Sequence, residues 1–423
     1  VVGARRVILG NGLRVIVRPN AATRSVAVHL VIPAGAAADP DGRSGAAHLM
    51  ARLLDRGADG LSAERIAIDF ENRGIGFVAR ARLDSLDLTA RLLARDLPFL
   101  LERLETLVAS PAFPEAEVAT ERARLLTELL EQQQDTAAMA EERLADALFP
   151  AGHPYHAPPA GRRETVESID RGTLVGLHAQ RVRPEGAVLS IAGGIDADAT
   201  FMLAERIFGA WRPAGLVKPL AFPDAPLLDH PQVIVHPLAG KTQADVALGF
   251  DPNIDRRGVD LQATIVMSSV LGEFGMGGRL GLTVRENSGL AYYSHSYVWT
   301  GRAKGPLIVR AGVAPDNVPR AVALIRKVVG EFLRRGPKPR ELADSKQSLA
   351  ANLPRRFETN PQAAAILADC EFQGLGFDYP DSVPARIAAV DAAAVLASAR
   401  RHLAPDRAVL VVAGPTIDPN RLT

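Results

Sequence analysis

In GAAHLMARLLDRG, Gly45 to Gly57, a histidine and an arginine stand four residues apart. His48 is by type a metal ligand or a proton acceptor. Arg52 holds the place where a second ligand would complete a metal pair, but arginine is a fixed cation that only donates hydrogen bonds. Between them, where a catalytic acid would sit, is Ala51. Ala46, Ala47, Leu49, Met50, Leu53 and Leu54 recur with helical period and form the face toward a core. His48 and Arg52 then lie one turn apart on the other face. Read alone, His48 is a polar residue on the solvent side of a helix. A second stretch, GMGGRLGLTVRENSGLAYYSHSYV (Gly275–Val298), reads as a glycine-rich turn, a helix and a strand. It lacks a strand-GxGxxG-helix unit and a P-loop lysine, so its glycines read as loop punctuation and not as a phosphate cradle.

The elements that must carry these residues are written twice. PEGAVLSIAGGID (Pro184–Asp196) and PDRAVLVVAGPTID (Pro405–Asp418) are each an apolar strand ending in an AG turn. Each follows a helix entered through an aspartate cap, Asp170 or Asp391, at the same distance of 17 residues before Ala187 and Ala408. The spacing predicts an internal duplication with an offset of about 220 residues. Both halves begin with strands, RRVILGNGLRVIVRPN and PQVIVHPLAG among them, and continue with helices such as EVATERARLLTELLEQ. Asn11-Gly12 lies between two apolar runs and predicts a hairpin turn. Strands grouped apart from helices predict an α+β architecture of two similar domains, residues 1–213 and 232–423. The proline-punctuated segment 214–231 predicts an extended linker.

Composition narrows the function classes. A chain of 423 residues exceeds one compact core. The 49 basic and 48 acidic residues leave a net charge of +1 without like-charge blocks, which does not favour a nucleic-acid partner. The single cysteine, Cys370, allows neither an internal disulfide nor a cysteine-rich metal site. That suits a reducing compartment or a periplasmic protein without disulfides. No apolar run is long enough to span a bilayer. The chain begins at Val1, as after removal of a leader or trimming of the chain.

SGAAHLMARLLDRG, following the loop AGAAADPDGRSG, resembles the segment of the pitrilysin/insulinase family of zinc peptidases that carries the inverted motif His-x-x-Glu-His. In that family the two histidines bind zinc and the glutamate activates water. The resemblance aligns His48 with the first ligand, Ala51 with the general base and Arg52 with the second ligand. Glu128, 76 residues after Arg52, matches the distal glutamate ligand, and Glu121, seven residues earlier, matches a supporting carboxylate. HPYHAPPAGRRETVESID looks like a further family segment, and the resemblance runs from about Arg5 to the end of the chain. The zinc motif is thus present in outline and broken in chemistry: Arg52 would repel a metal ion, and position 51 has no proton acceptor. Arg52 is expected to stand in for the metal and pair with Glu128, with Glu121 as a further candidate partner.

RLGLTVRENSGLAYYSHS resembles a signature of the family's second domain that carries an arginine and a tyrosine seven residues apart, here Arg285 and Tyr292. The resemblance implies that the pair hydrogen-bonds backbone carbonyls of a bound peptide near the scissile bond. A guanidinium and a phenol suit that task. Tyr293 is expected on the opposite side of the strand.

These likenesses imply two homologous domains, each a mostly antiparallel sheet covered by helices, of the LuxS/metallohydrolase-like, processing-peptidase kind. They also imply a zinc-less, substrate-binding subunit of a bacterial heterodimeric zinc metalloendopeptidase. Such a chain holds no cofactor itself, and a homologous partner supplies zinc and general base. The expected substrates are peptides, and the expected compartment is the bacterial periplasm, with the cytoplasm as alternative. Two other readings stand beside this one. One is a structural or assembly subunit without peptidase role. The other is a homodimeric metallopeptidase using rearranged ligands such as His153 and His156 in GHPYHAPP.

Overall fold

The computed structural model describes residues 3–212, 215 and 219–422. Of the expected linker, 214 and 216–218 lie outside the described residues, and 219–231 forms neither helix nor strand.

Six strands make the first sheet: β1 (Arg5–Ile8), β2 (Arg14–Pro19), β3 (Ser25–Ile32), β6 (Gly76–Ala81), β7 (Leu86–Leu93) and β8 (Val188–Gly193). A short ribbon, β4 (Gly57–Ala58) with β5 (Leu61–Ser62), intervenes. The order is β1-β2-β8-β3-β7-β6, antiparallel except for β2 beside β8. The second sheet contains β9 (Gln232–Pro237), β10 (Ala244–Gly249), β11 (Ala291–Val298), β12 (Leu307–Val313) and β13 (Val409–Gly414). Its order, β9-β13-β10-β12-β11, with only β9 and β13 parallel, repeats β2-β8-β3-β7-β6 strand for strand. The duplicated AVLSIAG and AVLVVAG are the equivalent strands β8 and β13. Each follows a helix capped as the sequence predicts. Asp170 accepts the Thr173 N–H and Asp391 the Ala394 N–H, both at 2.7 Å. Asn11-Gly12 turns the β1–β2 hairpin, with Gly12 at φ +89°.

Each sheet is covered on both faces, which is why its central strands read as nearly continuous apolar runs. Along β3, Val26, Val28, Leu30 and Ile32 join a core with helices Ala46–Leu53, Leu97–Ala109 and Arg171–Arg181. Ala27 and Val31 face the other way, onto Ala363, Ala364, Leu367 and Ala368 of helix Asn360–Phe372. The compact units therefore cut across the contiguous halves 1–213 and 232–423. One unit comprises Val1–Leu129, Pro158–Ala221 and Leu353–Ser382; the other comprises Leu130–Ala157, Phe222–Asn352 and Val383–Thr423. In the second unit helix Thr136–Leu148 lies on β10 so closely that a Cβ on Gly249 would meet Leu144 Cδ1 at 2.8 Å.

Candidate functional site

The helix carrying His48 starts at Gly45, whose φ of +97° favours glycine. A side chain there would also strike the Ala160 carbonyl oxygen at 2.7 Å. The Asp39 carboxylate, from the preceding acidic loop, accepts the amides of Gly45 and Ala47 at 2.7 Å each and so satisfies the helix's first donors. Burial pushes this carboxyl up to about 7, against the pull of its amide donors. Ala46, Ala47, Leu49, Met50 and Leu53 are buried in the first unit's core, and Ala51 is buried with them.

Arg52 emerges from the other face into a carboxylate grid. Its Nη1 and Nη2 donate to the two oxygens of Glu128 at 2.7 and 2.9 Å, end on and bidentate. Its Nε donates to Glu121 at 3.0 Å. Glu121 is buried, and its second oxygen accepts from Arg124 at 2.6 Å, with Arg56 at 3.7 Å. His48 makes no hydrogen bond to a described residue. Burial holds its pKa below the ordinary value, and the Arg52 charge pushes the same way, so the ring stays neutral. The guanidinium stands between the two glutamates that the resemblance aligned with a zinc shell, and it engages both oxygens of Glu128. The residues present therefore do not fit a metal. Among the described residues, no group of three or more His, Cys, Asp or Glu side chains is placed to hold one.

Because Glu121 is buried, removing the cation leaves one of its two oxygens without a donor, while Arg124 keeps the other. Arg52→Leu is expected to destabilise the protein by about 2 kcal/mol in urea unfolding. The Arg52 hydrogen bond also holds Glu128 below the ordinary carboxylate range. The pair's contribution is thus fully present at neutral pH and is lost as pH falls through that lowered value. An Arg52→Leu protein as stable as the parent at pH 7 would refute the grid's role.

Arg285 and Tyr292 lie in the second unit, Arg285 on a tightly closed turn and Tyr292 at the start of β11. The segment Gly281–Glu286 is a π-turn, and a second one, Ser269–Glu273, precedes the glycine stretch. Here Gly277, Gly278 and Gly281 are close-approach positions and more than loop punctuation, as is Gly272 just before them, whereas Gly275 and Gly289 have open space. A Cβ on Gly281 would sit 2.0 Å from the Met276 carbonyl oxygen, and one on Gly272 would sit 2.2 Å from the Ser296 amide. Arg279 pins the start of the turn, forking onto Glu341 at 3.1 and 2.6 Å and donating to the Gly336 carbonyl at 2.8 Å. The Gly289 and Leu290 amides then donate back to the carbonyls of Arg285 and Val284, at 2.9 and 3.1 Å, and deliver the chain into β11.

Tyr292 is 83% exposed and makes no hydrogen bond to a described residue. Arg285 is partly exposed, its Nε 3.5 Å from the neighbouring Glu286 carboxylate. Phe274, Met276 and Leu282, on the same segment, are also exposed. The segment thus exposes two strong donors and three apolar side chains.

Tyr293 points inward, and β11 carries a β-bulge there: Ala291 pairs with Val313 and Tyr293 with Gly312, leaving Tyr292 as the extra residue. The Tyr293 hydroxyl donates to Asp245. Asp245 also accepts from Thr136 at 2.6 Å and Gln243 at 3.2 Å, and faces Arg310 at 3.8 Å. Arg310 in turn pairs with Glu141 and donates to the Ala137 carbonyl at 3.1 Å. Asp245 and Arg310 are buried. Sequence reasoning passed over this network, although a charge inside each of two apolar strands was its signal.

His153 and His156 do not form a metal pair. His153 Nδ1 accepts the Tyr155 amide at 3.0 Å, so its Nε2 carries the proton and donates to the Pro223 carbonyl at 3.0 Å. His156 Nδ1 donates to the Phe149 carbonyl at 2.8 Å. Both rings are committed to building the turn, which corrects the rearranged-ligand reading.

Residues 14–155 match the family model described as insulinase (peptidase family M16), and residues 168–349 match that of the peptidase M16 inactive domain. An uncharacterized zinc protease of Bacillus subtilis, YmxG, is 25% identical over 84% of this chain and 85% of its own. One from Mycobacterium bovis is 26% identical over 97% and 93%. A Helicobacter pylori protein described as a non-peptidase homolog, YmxG, is 25% identical over 78% and 76%. Among solved structures, an M16 inactive domain from Pseudomonas fluorescens superposes with a TM-score of 0.89 at 24% identity, covering 98% of both chains. The periplasmic protease PqqL of Escherichia coli reaches 0.82 at 14% identity, covering 98% of this chain and 46% of that one. At these identities the structures speak to the fold alone, which is the mixed, duplicated one described above. With residues 14–155 and 168–349, together well over half of its length, matched by models of one family, this chain belongs to peptidase family M16, the insulinase family.

Proposed function

We propose that this chain is the non-catalytic, substrate-binding subunit of a heterodimeric zinc metalloendopeptidase. The observation that carries the reading is the contrast between the two sites. At the first, the Arg52 guanidinium takes the metal's place between Glu121 and Glu128, and Ala51 offers no base. At the second, Arg285 and Tyr292 keep their donors accessible on a segment that also exposes Phe274, Met276 and Leu282. A chain that cannot activate water but can hold a peptide carbonyl is suited to serve another chain's metal. The partner would be a homologue with an intact His-x-x-Glu-His, enclosing peptides or unfolded segments in a shared chamber. The non-peptidase description of the Helicobacter pylori relative supports the first half of this reading. The periplasmic neighbour from Escherichia coli supports a periplasmic setting.

The test is reconstitution. The chain is purified alone and together with an M16 homologue from the same genome that keeps the zinc motif, and each is assayed on quenched fluorescent peptides with added zinc. Turnover is expected only from the mixture, with co-elution of the two chains. Zinc-dependent turnover by this chain alone would overturn the reading. A stable mixture whose turnover equals that of the zinc-bearing chain alone would favour the structural-subunit alternative.

A further inference from the structure

The bulge in β11 raises a question that exposure alone does not answer: what fixes the direction of Tyr292. An extra residue in a bulge is left unpaired in the ladder, so its neighbours must set its course. On one side Ala291 is buried opposite Val313. On the other, the Tyr293 ring lies over Gly312 so closely that a Cβ there would meet Tyr293 Cε1 at 2.6 Å. The far end of that ring is tied to Asp245, whose other oxygen is held by Thr136 and Gln243. Charge balance comes from Arg310, itself tied to Glu141 and the Ala137 carbonyl. Tyr297 adds a hydrogen bond to Glu141 at 3.2 Å. The strand is thus nailed down at the residue next to the bulge by a network with buried Asp245 and Arg310 at its centre, reaching from helix Thr136–Leu148 through β10 and β12.

We propose that Tyr293 is a positioning residue for Tyr292: its hydroxyl bond to Asp245 and its ring on Gly312 lock the β-bulge in the form that presents the Tyr292 phenol to a peptide carbonyl. The inference rests on the carbonyl-holding role given to Tyr292 above. Loss of the Tyr293 hydroxyl frees the ring to rock, and the unpaired residue beside it follows. A displacement of about 1 Å at a positioning group is enough to cost one to two orders of magnitude in rate.

The experiment separates positioning from mere stability by a double-mutant cycle in the reconstituted pair. Tyr293→Phe is expected to lower kcat/KM by about tenfold in the parent and by less than about twofold in the Tyr292→Phe background, because it acts through that phenol. Equal losses in both backgrounds would overturn the proposal. Gly312→Ala, which pushes the Tyr293 ring while keeping its hydroxyl, is expected to reproduce the loss. A second arm needs no activity. With 3-fluorotyrosine at position 292, the purified chain is expected to give one narrow fluorine resonance, which splits or moves beyond its own linewidth in Tyr293→Phe. An unchanged resonance would overturn the positioning role whatever the peptidase assay gives. A changed resonance in a pair without peptidase activity would leave it standing and remove the functional reading instead.

Discussion

Arg52→His is expected to turn the salt-bridge grid into a zinc site. Three donors would then converge where the guanidinium now sits: the neutral His48 ring, the introduced imidazole one turn later on the same helix face, and Glu128. Two histidines and a glutamate with an open fourth position are a common catalytic zinc set. Glu121, buried behind them and still paired with Arg124, would orient the introduced ligand. The burial that lowers the pKa of His48 favours this, because a ligating imidazole must be unprotonated and metal affinity falls as the ring takes up its proton. The variant should be less stable than the parent without metal and should recover on adding zinc. At a thousandfold excess over the dissociation constant the gain is about 4 kcal/mol. The parent, with a cation at the centre, should show no such gain. Calorimetric titration with zinc and thermal unfolding with and without it decide the matter. Peptide hydrolysis is not expected, since Ala51 still offers no proton acceptor. A folded Arg52→His protein that ignores zinc would mean that His48 and Glu128 do not share a centre.

The parts of the fold legible in the sequence are those that depend on local pattern. The apolar stripe of Ala46–Leu53, the hairpin at Asn11-Gly12 and the aspartate caps of the duplicated helices follow from period and capping chemistry within one element. The repeat of strand order was foreshadowed by the duplicated β8 and β13 segments. What did not show is the exchange of helices between the halves. The apolar side of Thr136–Leu148 says that it must be buried, not that β10 and β13 will bury it; likewise the alanines of Asn360–Phe372 fit β3 and β8 because small side chains allow close approach. At the site, alternation along β11 separates Tyr292 from Tyr293, yet their different surroundings come from a bulge that no residue pattern announces. The glycines of the preceding loop told the same incomplete story. Their spacing marks a turn, while the requirement for them comes from backbones crossing at contact distance. The carboxylates around Arg52 needed a resemblance to be paired with it, because 69 and 76 residues of chain separate them.

Arg285→Ala and Tyr292→Phe should each lower turnover of the reconstituted peptidase by about a hundredfold or more, the usual cost of removing one donor aimed at a developing oxyanion. A charge-bearing oxygen gains more from such a donor than the ground-state carbonyl does. The loss should therefore fall on kcat and kcat/KM alike, with KM little changed. The folded state should hardly notice either change, since the Tyr292 phenol has no partner among the described residues and the partly exposed Arg285 guanidinium faces the adjacent Glu286 at 3.5 Å. Thermal unfolding and co-elution with the zinc-bearing chain are therefore expected to match the parent, which distinguishes these variants from Arg52→Leu. On the proposed reading the two donors serve one carbonyl-binding task, so the double variant should lose less than the product of the single losses. Arg285→Lys tests the geometry: a point charge replaces the planar fork and should recover only part of the rate. If either single variant keeps full turnover, its side chain does not hold the scissile carbonyl. If both do, this chain contributes something other than donors to the partner's zinc, and the scaffold reading gains.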